Sequence, residues 1–367
     1  MATITIKKII ESLESMAPPS YQEEYDNSGL LTGNPTEEVK GILVTLDCTE
    51  DVVEEALTKS CNLIVAHHPI LFRGIKRLTG QTYVERVLIK AIRNNIAIYA
   101  IHTNLDNVIN GVNKKIAERL GLINLQILLP KKNTLTKLVT FVPKEHQEKV
   151  TASLHMAGAG QIGNYKNCSF SVHGEGAFMP TENAKPYKGL LGVLEKAEEV
   201  RVEVLFPSLL QGKVLSALRE SHPYEEVAYY LTALENENQE VGAGLIGDLV
   251  TPEDPMAFLE RVKSSMNTAC IRHTRIDSTK VKKVAVCGGA GSFLLPTAIG
   301  RGADVFISAD FKYHEFFDAD SKIIIADIGH YESEQYTKEL LGEFLQEKFP
   351  TFAIIFSNVV TNPISYL

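Results

Sequence analysis

Short apolar runs alternating with helix-patterned stretches occupy both ends of the chain, and no other feature restricts the fold as strongly. From residue 40 to about 128 the order is GILVTLD, a helical stretch after Thr49, NLIVAHH, a helix through YVERVLIKAIRNN, IAIYAIH, and a helix through INGVNKKIAERLGL. After about residue 279 it resumes with KVAVCGG, a helix near LLPTAIGRG, DVFISAD, a short helix, KIIIADIGH, a long helix to Phe349, and FAIIFSN. Strands that alternate with helices pair in parallel, so both stretches read as α/β.

The middle follows another order. KLVTFVP reads as a strand, KEHQEKVTASLHMAG as a helix, CSFSVHGEG and EVRVEVLFP as strands, LLQGKVLSALRES as a helix and EEVAYYLTAL as a strand. That β-α-β-β-α-β succession is the ferredoxin-like arrangement. Its flanks, LLPKKNT and ENENQEVGAG, are turn-rich or polar, as an inserted domain's hinges are. The expected organisation is a core α/β domain made of residues 1–130 and 239–367, folded around one sheet and interrupted by an insert of residues 131–238. Ahead of the first strand, Ile6, Ile9, Ile10, Leu13 and Met16 recur at helical spacing, which predicts an amphipathic helix closed by Pro18 and Pro19.

Composition narrows the function classes. A chain of 367 residues with 44% hydrophobic content can bury cores in two or three domains without staples. A net charge of −8 argues against a surface built for nucleic-acid phosphates, which needs clustered Lys and Arg. Cys48, Cys61, Cys168, Cys270 and Cys287 are odd in number, widely spaced and lack a CxxC pair, so neither a disulfide framework nor a thiolate zinc site is indicated. No apolar run approaches the ~20 residues of a membrane span and no signal peptide is evident, so a soluble, cytoplasmic protein is expected.

Parallel α/β sheets present functional groups at the carboxyl ends of their strands. Here those ends are polar. NLIVA is followed by His67 and His68, with Pro69 stopping the strand; IAIYA by His102, Asn104 and Asp106; DVFISA by Asp310, Lys312 and His314; KIIIADIG by His330 and Glu334. Each feature has a bland reading: a satisfied core histidine for one of the adjacent pair, an N-cap for Asp106, and a solvated helix face for His330 and Glu334 at i, i+4. Taken together, three imidazoles and two carboxylates without a thiolate form mixed N/O ligation that leaves positions open for water. That is the pattern of a catalytic two-metal site for Zn, Mn, Fe or Co rather than a structural one. His102 and His314 are acid/base candidates or structural histidines. The run CGGAGSFLL reads as a tight turn or as a phosphate cradle of backbone N–H groups.

The stretches VAHHPILF, HTNLD, VCGGAGS and GHYESE resemble the signature blocks of the NGG-interacting factor three-like family, also called GTP cyclohydrolase I type 2 homologues. The resemblance spans essentially the whole chain, because KLVTFVP, AGAGQIGNYKNCSFSVHGEGAF and HPYEEVAYYL look like the insert of the longer bacterial members. It implies two metal ions per chain on His67, His68, Asp106, His330 and Glu334, with Glu334 touching both. It also implies a toroidal homohexamer with metal sites facing the interior, and an insert similar to PII-like and CutA-like domains. One departure is Ala309 in ISADFKYH, where the family usually has Gly; Ala would cost a close backbone approach or a positive φ.

Three functions are compatible with these residues. The first is a metal-dependent hydrolase whose activated water opens a nucleotide ring, with GTP as the candidate the family name supplies. The second is a non-catalytic metal- or ligand-responsive protein that uses the PII-like insert. A generic metallophosphoesterase ranks below both, because its DxH and GNH(D/E) blocks are missing.

Overall fold

The computed structural model describes residues 4–277 and 280–367. Its strands are β1 (Gly29–Thr32), β2 (Ile42–Thr45), β3 (Leu63–Ala66), β4 (Ala97–Ala100), β5 (Ile123–Pro130), β6 (Leu135–Pro143), β7 (Phe170–Phe178), β8 (Glu195–Pro207), β9 (Tyr229–Leu234), β10 (Gly242–Glu253), β11 (Arg272–His273), β12 (Val281–Ala290), β13 (Val305–Ala309), β14 (Ile324–Asp327) and β15 (Ile354–Phe356). The chain divides into two compact units, one of residues 1–130 and 239–367 and the other of residues 131–238.

The larger unit contains two sheets, where the sequence suggested one. The first has the order β1-β4-β3-β2-β15 and the second β11-β14-β13-β12-β10-β5. In the first, β4, β3, β2 and β15 run parallel and β1 is antiparallel to β4. In the second, β12, β13 and β14 are parallel, flanked by antiparallel β11 and β10, and β5 is antiparallel to β10. Each end of the chain therefore lends a strand to the sheet of the other: β15 closes the first sheet and β5 the second. The apolar alternation reveals parallel central strands but carries no label saying which sheet a distant edge strand will join.

The parallel strands β2, β3, β4 and β14 are buried along their length, as strands covered on both faces must be. One continuous core runs through both sheets, from Ile6, Ile9 and Leu13 through Val44, Val65 and Tyr99 to Val284, Ile307 and Ile324. The amphipathic N-terminal helix Ile6–Met16 contributes the first three of these, and Thr5 caps it by accepting from Lys8 N–H. Separate layers cover the outer faces of the two sheets.

The smaller unit holds one antiparallel sheet of order β7-β8-β6-β9, with helices Gln147–Met156 and Gln211–Ser221 between strands. Val150, Leu154, Val214 and Leu218 of the helices pack with Leu138, Val142, Val200, Val202 and Phe206 of the sheet. That pairing uses one face of the sheet. All five cysteines are free. No helix of the described residues is long and apolar enough to cross a membrane.

Candidate metal centre

The carboxyl ends of strands from both sheets of the larger unit converge on one cluster. His67 and His68 follow β3 directly, and His102 follows β4 ahead of the short helix Thr103–Asp106, which ends in Asp106. From the second sheet, β14 leads through Gly329, held at φ +92, into the helix His330–Glu334, which puts His330 and Glu334 on one face. His68 Nε2 lies 2.9 Å from Glu334 Oε2, and His330 Nε2 lies 3.1 Å from the same oxygen. His67 Nε2 stands 3.6 Å from Asp106 Oδ1 and 3.9 Å from Glu334 Oε1.

Donor atoms of three sets lie within 4.8 Å of one another: His67, Asp106 and Glu334; His68, His330 and Glu334; and His67, His68 and His102. Glu334 is common to the first two. His102, which sequence reasoning set apart as an acid/base group, thus stands at ligand distance from the adjacent pair. His314 does not join them: it is exposed in the turn Tyr313–Ala319, with its ring against Tyr313 and Phe317.

All four imidazoles of the cluster are anchored through Nδ1. His67 donates to the Ile101 carbonyl at 2.8 Å, while His68, His102 and His330 meet Asp47 at 2.7 Å, Asp26 at 2.8 Å and Asp310 at 2.6 Å. Such partners fix the tautomer and leave each Nε2 aimed at the centre. Thr361 in turn donates to Asp47, and the Thr103 backbone N–H and hydroxyl both donate to Asp26. Of these orienting carboxylates the sequence offered Asp310. Asp47 carried a usable signal, because it stands two residues past β2 just as His68 stands two past β3; Asp26 lies in the loop before β1 and carried none.

The electrostatics describe a site short of positive charge. Burial drives the His67 pKa down to about 3, so its ring is neutral and its Nε2 lone pair is free. Burial and the nearby Glu334 charge raise the Asp106 carboxyl well above the usual range. Burial opposes charge on His68 and His330 as well, but their carboxylate partners outweigh it and push them up to about 10 and about 11. The same imidazoles hold Glu334 well below the carboxylate range against the effect of its own burial. His67 Nε2 and Asp106 Oδ1 are enclosed and have no hydrogen-bond partner in the described structure. Without a cation the buried Asp106 carboxyl is driven toward its protonated form beside the unsatisfied His67 Nε2; a divalent ion between them would relieve both, so these residues fit a divalent metal.

The two glycines at the carboxyl end of β12 serve this cluster. Gly288 N–H donates to Asn113 Oδ1 and Gly289 N–H to Ser333 Oγ, so both groups are spent inside the fold. A Cβ at Gly289, held at φ +62, would lie 2.5 Å from Glu334 Oε1; the glycine makes room for that carboxylate. Ala309 proves unstrained: it is buried at the end of β13, paired with Ala290, and the positive φ of +59 belongs to Asp310.

The sequence matches the Duf34/NIF3 (NGG1p interacting factor 3) family over residues 4–363. A Bacillus subtilis protein named GTP cyclohydrolase 1 type 2 homolog is 38% identical over 98% of each chain, and a Staphylococcus epidermidis protein of the same name is 36% identical over 98% of this chain and 99% of its own. Among solved structures, a Bacillus cereus protein related to NIF3 superposes with a TM-score of 0.87 at 38% identity over the full length of both chains. A Staphylococcus aureus protein gives 0.80 at 29% identity, also over the full length of both. With its strand-end cluster, full-length match and close relatives, the chain belongs to the Duf34/NIF3 family.

Proposed function

We propose that the chain is a metal-dependent hydrolase that carries two divalent ions, one on His67, Asp106 and Glu334 and the other on His68, His330 and Glu334. The observation that carries this reading is the shared anchoring: every imidazole of the cluster is held at Nδ1 with Nε2 turned inward, around two orphaned buried acceptors. Divalent ions held by such ligands supply Lewis acidity and an acidified water at neutral pH. The substrate class that the relatives' name suggests is a purine nucleotide such as GTP, opened at its ring with loss of formate.

The chain's own residues supply proton handling and orientation. With Nδ1–H committed to Asp26, His102 has Nε2 free to take up and return a proton beside His67 and His68. Phe72 stands edge-on to the His102 ring, 5.6 Å between centroids, and covers one side of it.

The strand and helix order of residues 131–238, with sheet order β7-β8-β6-β9, supports assigning that unit as a ferredoxin-like insert of the PII/CutA kind. A toroidal homohexamer in the cytoplasm completes the reading, and light scattering tests the assembly. For the activity, the protein is loaded separately with Zn, Mn and Fe(II), its metal content is counted, and formate and nucleotide products are followed from GTP beside a Glu334→Ala control. Metal-dependent formate with a silent control is the expected result. GTP left intact by protein that holds two metals per chain would overturn the substrate, and protein that holds none would overturn the centre itself.

A further inference from the structure

The smaller unit contains a second candidate site, separate in residues and chemistry from the metal cluster. Its helices cover one face of the four-stranded sheet, and a cavity of about 690 Å³ opens among residues of the other face and the segments beside it. That volume is within the roughly 300–1,000 Å³ of small-molecule pockets. The floor comes from Phe141 of β6, Val172 and Gly174 of β7, and Glu199 and Arg201 of β8. Tyr187 and the stretch after β7 line it as well, together with Tyr224 and Tyr230.

The walls are tied in place. Lys185 N–H donates to Glu225 Oε1 at 2.6 Å, Gly192 N–H to the Pro180 carbonyl at 2.8 Å, and His146 Nε2 lies 3.0 Å from the Tyr187 hydroxyl. His222 sets the opposite wall: its Nε2 donates to the Phe141 carbonyl at 2.9 Å and its Nδ1 accepts from Tyr224 N–H at 3.1 Å. The HPYEE motif thus begins as a structural turn and ends as cavity lining, since Tyr224, Glu225 and Glu226 all face the space.

Two features of the lining define a ligand. The first is aromatic: Phe141 and Tyr230 meet at 5.7 Å, and Tyr224 lies 5.8 Å from Phe178 and 6.0 Å from Tyr187, so rings border the space from several sides. The second is charge. Arg201 is paired with Glu203 at 2.8 Å and Lys188 approaches Glu195 at 3.8 Å, and neither glutamate lines the cavity. Glu175 is matched by Lys196 at 2.7 Å. Among the described residues Glu199 has no cation partner, although it is partly buried on the floor. A Cβ on Gly176 would collide with the Glu199 carboxylate, so the strand gives up a side chain where this group lies across it. The Tyr224 phenol is pushed above its ordinary range by burial and by the Glu199 charge, so it faces the carboxylate as a neutral hydroxyl.

We infer that this cavity binds a small organic cation, seated among Phe141, Tyr224 and Tyr230 with its charge on Glu199. Aromatic faces attract a cation through their negative quadrupole, and a carboxylate without a counter-ion sets the sign of the ligand. Anions meet the opposite environment, because Arg201 and Lys188 of the lining are already engaged by glutamates.

The chain has no tryptophan, so its intrinsic fluorescence reports on tyrosine alone. The full-length protein is titrated with benzyltrimethylammonium, and with benzyl alcohol and benzoate as neutral and anionic matches. Tyrosine fluorescence and calorimetry follow the binding. The expected result is saturable binding of the ammonium at one site per chain, at least about tenfold tighter than the alcohol, with benzoate silent. Glu199→Gln should erase the preference for the cation, Tyr230→Ala should weaken binding without unfolding because that ring is largely exposed, and Glu334→Ala should leave binding unchanged. Circular dichroism checks the fold of each variant. Benzoate binding as well as the ammonium, an unaffected Glu199→Gln variant, loss of binding in Glu334→Ala, or no saturation with any probe would each overturn the assignment.

Discussion

Nδ1 anchoring has a consequence that can be titrated. His68 and His330 are pushed up to about 10 and about 11, so at neutral pH both rings hold a proton on the Nε2 that a metal would need. His67, driven down to about 3, has none to give up. Metal binding at pH 7 should therefore release protons, one each from His68 and His330, together with any that the raised Asp106 carboxyl holds. Apparent affinity should rise with pH by about tenfold per unit for each proton displaced, until pH approaches the raised values. The sign follows from competition: a raised imidazole pKa means more proton held below it, and hence weaker metal binding on the acid side. Calorimetry in buffers of different ionisation enthalpy counts the protons. A count near zero would mean that these two rings are not ligands. At this scale the sequence was informative where polarity stands at a strand tip, as for His67, His68, Asp106, His330 and Glu334. It was silent on Asp26, whose loop has no periodicity to mark it, and it gave no sign that the turn Tyr313–Ala319 carries His314 outward from the cluster.

Elements place these residues through a few backbone conformations that a side chain would spoil. The approach of Glu334 to the carboxyl end of β12 depends on Gly289, where φ is +62 and an added Cβ would lie 2.5 Å from Glu334 Oε1. Gly289→Ala should lower stability by about 1–3 kcal/mol through left-handed strain and also displace Glu334, the ligand common to both proposed ions. The expected outcome is a lower melting temperature together with metal content well below that of the parent. A variant that melts lower yet keeps full metal content would show that the glycine serves the turn alone. The motif CGGAGS was visible in the sequence, but its role was not, because the Gly288 and Gly289 N–H groups are spent on Asn113 and Ser333. Element order was legible in both halves, since buried parallel strands such as β2, β3 and β4 are unbroken apolar runs. The antiparallel edges were less so: β1 is short and only partly buried, and β5 is largely exposed in its first half.

For the whole molecule, the division into two sheets decides what can be removed. Pro130 at the end of β5 pairs directly with Gly242 at the start of β10, so the chain leaves the larger unit and returns to it at neighbouring positions of one antiparallel ladder. That geometry is a hairpin with residues 131–238 standing where a turn would be, and loop length costs little once the ends are paired. The larger unit also closes its own core, from Ile6 to Ile354, without a residue of the smaller one. Replacing residues 131–238 with a short Gly/Asn turn should therefore give a folded protein that keeps the parent's metal content and the same proton release on binding. It should lose the cation-binding response assigned to the smaller unit. Metal analysis and calorimetry on the shortened chain check both halves of this expectation. If the shortened chain folds, as judged by circular dichroism, but binds no metal, the centre depends on the smaller unit, and its residues in the larger unit are insufficient by themselves. If it fails to fold, the β5–β10 ladder relies on the smaller unit to align its strands.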